Sequence, residues 1–231
     1  MKNVYLSICL LFFMCEKGFG QKQHPSFKKT PNAIEEVFTN VSNNKPILLE
    51  AYLPTCSHCM AYNETFLSEE MKSYLEENFN AYQIDLSKKE NQVFLKKRKI
   101  YVYSTPTFLV FGPNGELWNF DAAEEEHNSV HGIKMLLNKA KSPEKRQSVL
   151  LEKYKNGVLE RNELIDIGNF TRYTLDTAQN LKIVKDLTNL LPKNEYESEL
   201  GFKIIQKLML DEENPLFEYF MANRTKYYLY A

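Results

Sequence analysis

Cys56-Ser57-His58-Cys59 is the group of side chains whose types and spacing point to a definite chemistry. Disulfide exchange needs a thiolate as attacker, so one thiol of such a pair must be exposed and have a lowered pKa. The apolar run 47–53 reads as a strand, and the residues from Cys59 onward read as a helix. Cys56 then sits where unpaired backbone N–H groups and the positive end of the helix dipole face its sulfur. Cys59 lies one turn inward and is more shielded. These positions make Cys56 the attacking thiol and Cys59 the resolving one. His58, when protonated, can stabilise the Cys56 thiolate and make the disulfide form more oxidising.

The remaining cysteines sharpen the point. Lys2 precedes an apolar run over 4–14, and a polar stretch ending in Gly18-Phe19-Gly20 follows. This pattern predicts a secretory signal peptide over 1–20, cleaved before Gln21. The run is far short of the roughly 20 residues of a membrane-spanning helix, so no span is expected after cleavage. Lipoprotein processing at Cys15 is the weaker reading, because Phe12 and Met14 are bulky where small residues are wanted. Removing 1–20 removes Cys9 and Cys15 and leaves only Cys56 and Cys59. Two cysteines placed at random would fall three apart only about once in a hundred chains. A staple closing so small a loop would stabilise little, so the pair reads as chemical.

The elements that must position the pair follow from hydrophobic period. After a polar lead over 21–29, Thr30 and Pro31 open a predicted amphipathic helix with Ile34, Val37, Phe38 and Val41 on one face. Strand 47–53 follows, interrupted by Glu50, and then helical residues over 59–79 that break near Ser68. A second strand covers 81–86, and a helix over 90–99 turns Val93 and Leu95 inward. Strand 108–111, the turn Pro113-Asn114-Gly115, strand 116–120 and a closing helix marked by Val130, Ile133, Leu137 and Ala140 complete a mixed α/β domain over 30–141.

Beyond Ser142-Pro143 the chain reads as all-α over 142–231. Leu164, Ile167 and Leu175, then Leu181, Val184, Leu187 and Leu191, then Leu200, Ile204, Ile205 and Leu208 recur at helical spacing. Breaks fall at Gly157, Pro192 and Asn214-Pro215. Helix pairs of this size suit a small tetratricopeptide-like array, and the tyrosine-rich end suggests a truncated frame.

Leu48-Leu49-Glu50-Ala51-Tyr52, the cysteine pair and Thr105-Pro106-Thr107 together resemble the thioredoxin superfamily over 30–141. The resemblance implies a thioredoxin-like fold. It also implies that Glu50 is a buried acid beneath the pair, relaying a proton for the resolving thiol, and that Pro106, after Thr105, is a cis proline packed on the pair. The chain departs from ordinary thioredoxins in having Thr55 in place of tryptophan and Ser57-His58 in place of Gly-Pro. The lysine that often partners the acid is not evident in 81–85. Pairs with histidine before the second cysteine occur in disulfide isomerases and periplasmic oxidases, so the direction of exchange stays open.

The function expected is therefore an extracytoplasmic thiol–disulfide oxidoreductase needing no cofactor beyond the Cys56–Cys59 disulfide. Its partners are substrate proteins with cysteines or disulfides and an envelope electron donor or acceptor. A C-terminus without a Lys-Asp-Glu-Leu-like signal favours a bacterial periplasm. With 29 Lys+Arg against 30 Asp+Glu, charge gives no footprint for nucleic acid. The competing readings are a non-catalytic scaffold carried by the C-terminal helices and a zinc site from Cys56, Cys59, His127 and His131, whose pairs lie too far apart for a finger. Sequons at Asn40, Asn63, Asn169 and Asn223 are expected to be incidental.

Overall fold

The computed structural model describes residues 24–39 and 43–230. The signal segment 1–20, with Cys15, and the sequon asparagine Asn40 lie outside the described residues. The α/β part is built on strands β1 (Ile47–Tyr52), β2 (Asn80–Asp85), β3 (Thr107–Phe111) and β4 (Leu117–Ala122), in the order β2-β1-β3-β4. β1 pairs in parallel with β2 and antiparallel with β3, so it is central and covered on both faces, which its apolar run requires. The parallel step from β1 to β2 needs a crossover, and α1 (Ser57–Phe66) with α2 (Glu69–Asn78) supplies it. The helical stretch breaks at Ser68, whose hydroxyl caps α2 by accepting from the Met71 N–H.

The two sheet faces carry separate cores. Leu48, Phe108 and Val110 pack under α1, α2 and α4 (Val130–Lys141), against Phe66, Leu75, Ile133 and Leu137. Ile47, Leu49, Leu109 and Phe111 pack on α3 (Lys89–Lys97) and a 3-10 turn, Ile34–Phe38. Each such side chain contributes about 1.5–3 kcal/mol on burial.

Three expectations are corrected on this second face and its edge. The helix opening at Thr30 is only the 3-10 turn, because the Thr30 hydroxyl donates to the Gln83 carbonyl instead of capping a helix. Val93 is exposed: residues two apart point to opposite sides of a helix, and Phe94 and Leu95 with Asn91 take the inner face of α3. The lead is not merely polar chain, since Phe27 is buried and the Lys28 N–H donates to the Ala81 carbonyl, extending the sheet edge beside β2.

The all-α region comprises α5 (Gln147–Lys155), α6 (Arg161–Tyr173), α7 (Thr177–Leu190), α8 (Glu199–Leu208) and α9 (Leu216–Tyr227). α6 packs along α7 and α8, and α8 packs on α9. Gly157, at φ 72°, ends the α5 turn in a conformation that suits glycine. Gly168 lets α6 approach α8, since a Cβ there would lie 2.7 Å from Leu208 Cδ2. Leu164, Ile167, Val184, Leu187, Ile204, Ile205 and Leu208 form the core as their spacing predicts. Leu175 and Leu200 are exposed, the first because it occupies the turn after α6 at φ 52° and the second because it lies on the outer face of α8. No helix among the described residues is long and apolar enough to cross a membrane.

The helical region is fused to the sheet. Phe170 and Tyr173 of α6 enter the second-face core, where their rings meet Phe120 of β4, and the Tyr173 carbonyl accepts from the Tyr101 N–H at 2.6 Å. Lys139–Asp166, Lys207–Glu124 and Lys203–Glu126 ion pairs join the same two parts.

Candidate active site

β1 ends at Tyr52, and the loop Leu53-Pro54-Thr55 delivers Cys56 to the N-cap of α1. Its Sγ accepts from the Cys59 N–H at 3.1 Å, the bond an N-cap oxygen would make in an ordinary helix. Both thiols are free; Cys56 is half-buried and Cys59 is 1% exposed. Burial pushes the Cys56 thiol up, but hydrogen bonds from the Cys59 and Thr105 side chains and from the Cys59 and His58 backbone N–H groups outweigh it, and its pKa falls below the ordinary thiol value. Burial, reinforced by the Cys56 side chain, pushes Cys59 up to about 12. One turn of helix thus gives two chemically unequal thiols.

Thr105-Pro106 closes over the pair. The Cys56 thiol donates to the Thr105 carbonyl at 3.4 Å, and the Thr105–Pro106 peptide bond is cis. Pro106 is buried, and its carbonyl accepts from the Ala123 N–H at 3.0 Å. Inside the same loop the Thr107 hydroxyl donates to the Ser104 carbonyl at 2.7 Å. His58 acts on Cys56 through its backbone N–H, while its ring is exposed.

Glu50 is fully buried on the β1 face that α1 covers. Gln83, its register partner on β2, donates to Glu50 Oε2 at 2.7 Å and to Asn63 Oδ1 of α1 at 3.0 Å. Burial raises Glu50 to about 7 against the opposing pull of the Gln83 amide, and Oε1 has no hydrogen-bond partner among the described residues.

Cys56, Cys59 and Thr105 therefore meet directly, Pro106 joins them through its cis bond to Thr105, and Glu50 is tied to the cysteine-bearing helix through Gln83 and Asn63. Sequence reasoning missed Gln83: the 81–85 segment holds no lysine, yet parallel pairing of β1 with β2 sets Gln83 beside Glu50. It also missed Tyr103 and Tyr173, whose rings lie 4.6 Å apart behind the Thr105-Pro106 loop. His127 gathers with Glu124 and Glu126, their ligand atoms within 4.8 Å, and the cysteines take no part in that cluster. His131 is exposed on α4.

A cleft of about 1020 Å³ opens beside the pair. His58, Tyr103 and Ala123 line one side, and Gln206, Met209 and Tyr230 of the helical region line the other.

Residues 35–120 match the family model described as a thioredoxin-like domain. Among the solved structures similar to the chain are three at 15–18% identity. A disulphide isomerase from Xylella fastidiosa Temecula1 is 18% identical over 50% of this chain and 96% of that one, with a TM-score of 0.40. A DsbH oxidoreductase is 17% identical over 50% and 83%, with a TM-score of 0.39. A thioredoxin from Thermus thermophilus is 15% identical over 50% and 91%, with a TM-score of 0.38. No curated protein matches the chain.

Proposed function

We propose that this thioredoxin-superfamily protein is a thiol–disulfide oxidoreductase that exchanges disulfides with partner polypeptides outside the cytoplasm. The observation that carries the reading is Cys56 at the N-cap of α1, its pKa lowered, one turn from a buried Cys59 whose pKa is raised.

The Cys56 thiolate attacks one sulfur of a substrate disulfide. A Cys56–substrate bond forms, the substrate S–S bond breaks, and the departing thiolate takes up a proton. Cys59 then loses its proton and attacks Cys56 Sγ, which releases the second substrate thiol and closes the Cys56–Cys59 disulfide. Two electrons and two protons pass from enzyme to substrate; run backwards, the same steps oxidise a dithiol. A carboxyl titrating at about 7, as Glu50 does, suits a group that takes and returns the Cys59 proton near neutral pH. The helix terminus and the backbone N–H groups hold the Cys56 negative charge between steps.

Support for an extracytoplasmic site is Lys2 with the apolar run 4–14, together with a mature chain left with this cysteine pair. The electron partner is then an envelope dithiol or disulfide carrier. Equilibrating the mature protein in glutathione buffers, quenching with acid and counting alkylated thiols by mass tests the reading. A Cys56–Cys59 disulfide with a potential near about −270 mV makes the protein a reductant, and one near about −120 mV an oxidant. A pair that stays reduced at every ratio overturns the function.

A further inference from the structure

We infer that the cleft between the cysteine-bearing edge and α8 seats an extended, uncharged stretch of the polypeptide substrate beside its reacting cysteine. The inference rests on the proposed disulfide exchange and names what that site takes.

Continuity with the reacting sulfur carries it. His58 stands between the two cysteines, Tyr103 lies two residues before Thr105, and Ala123 bonds the Pro106 carbonyl. All three line the cleft, so a chain joined to Cys56 has this depression next to it. At about 1020 Å³ the cleft lies at the upper end of small-molecule pockets, roughly 300–1,000 Å³, and is far larger than a dithiol needs.

Its lining carries as many acids as bases, Glu124, Glu125 and Glu126 against Arg172, Lys203 and Lys207, and two ion pairs close within its own walls. Lys207 pairs with Glu124 at 2.6 Å and Lys203 with Glu126 at 3.4 Å. The Arg172 guanidinium lies 3.9 Å from the Tyr103 ring centre and donates to the Gln206 carbonyl. A charged occupant would have to break these pairs, whereas an uncharged segment leaves them intact. The rest of the surface includes the Tyr103 and Tyr230 rings, Ala123 and the adaptable Met209 thioether beside the exposed His58 and Glu125, with the exposed Gln206 amide to meet backbone polar groups. Such a lining accepts apolar side chains of varied shape along an extended backbone.

The test compares exchange rates of the reduced full chain with a small aromatic disulfide and with peptides whose central cysteine carries the same aromatic leaving group. The peptides bear uncharged flanks of two, five or eight residues. Wild-type rates should rise at least about tenfold from the shortest to the longest flank. Gln206→Trp, which fills the cleft from an exposed position, should abolish that rise, whereas Lys155→Trp on α5 should keep it. A wild-type rate independent of flank length, or a rise that survives Gln206→Trp, overturns the inference and leaves the function standing. No reaction of wild type even with the small disulfide removes both.

Discussion

Gln83 donates to Glu50 across the β1–β2 pair at 2.7 Å, so the buried acid has a neutral amide as its partner. An amide offsets part of the desolvation cost of a carboxylate, but a nearby cation would offset more. Burial therefore wins, and Glu50 titrates at about 7 instead of its ordinary 4.5. Between those values the folded protein holds a proton that the unfolded chain has released. Stability from this group is thus full below about pH 4.5 and falls as pH rises, by roughly 1.4 kcal/mol per unit, levelling above 7 after a loss of roughly 3 kcal/mol. Urea denaturation of reduced wild type and Glu50→Gln from pH 4 to 8 should give curves that diverge with rising pH, the variant gaining. Gln83→Lys should move the wild-type slope to lower pH. Parallel curves for wild type and Glu50→Gln would refute the assignment.

The unequal thiols make a kinetic prediction. Iodoacetamide at pH 7 should modify Cys56 at least tenfold faster than Cys59, because only the former combines partial exposure with a lowered pKa. In Cys56→Ser, Cys59 should stay slow to react at pH 7, because burial, the largest cause of its raised pKa, is unchanged. Peptide mapping of the alkylated protein reads both. Equal labelling of the two cysteines would remove the division into attacker and resolver.

Much of this arrangement was legible in the sequence because it depends on local patterns. The strand 47–53, the break at Ser68 and the helical stripes of 142–231 rest on hydrophobic period and caps, and β1, α2 and most of the stripes follow them. The reading failed where a residue was taken by a distant partner. Thr30 is spent on the Gln83 carbonyl, and Gln83 is recognisable only once the parallel register is known. Tyr173 sits 66 residues from Thr107, and no spacing rule connects an α6 tyrosine to the floor of an active-site loop.

A buried amide network should hold the helical region in register. Asn180 Nδ2 donates to the Gly168 carbonyl and the Thr171 hydroxyl, each at 3.2 Å, and its Oδ1 accepts from Asn214 Nδ2 at 3.0 Å. Asn180→Leu removes three buried hydrogen bonds at once, although the Gly168 carbonyl keeps the Thr171 hydroxyl and Asn214 Nδ2 keeps the Leu208 carbonyl, and should cost about 2 kcal/mol. For a chain of this size that is a fall in Tm of roughly 4–8 °C. A calorimetric Tm within about 1 °C of wild type would show that the network contributes nothing.

Tyr173 links the helical region to the chemistry. Its ring centre lies 3.5 Å from that of Phe120 and 4.6 Å from that of Tyr103, and its hydroxyl is 3.4 Å from the Thr107 hydroxyl. Tyr103 and Thr107 bracket Thr105-Pro106, so the side chain braces the loop that carries Thr105, whose side chain helps to lower the Cys56 pKa. Tyr173→Phe removes one weak hydrogen bond and should cost about 1 kcal/mol or less. Tyr173→Ala empties a fully buried site and should cost about 3–5 kcal/mol. The alanine variant, assayed well below its own Tm, should also exchange disulfides more slowly and show a Cys56 pH–rate midpoint shifted upward, because the Thr105 side chain on that loop helps to lower that pKa. A folded alanine variant with an unchanged midpoint would confine Tyr173 to stability and detach the helical region from the active-site loop.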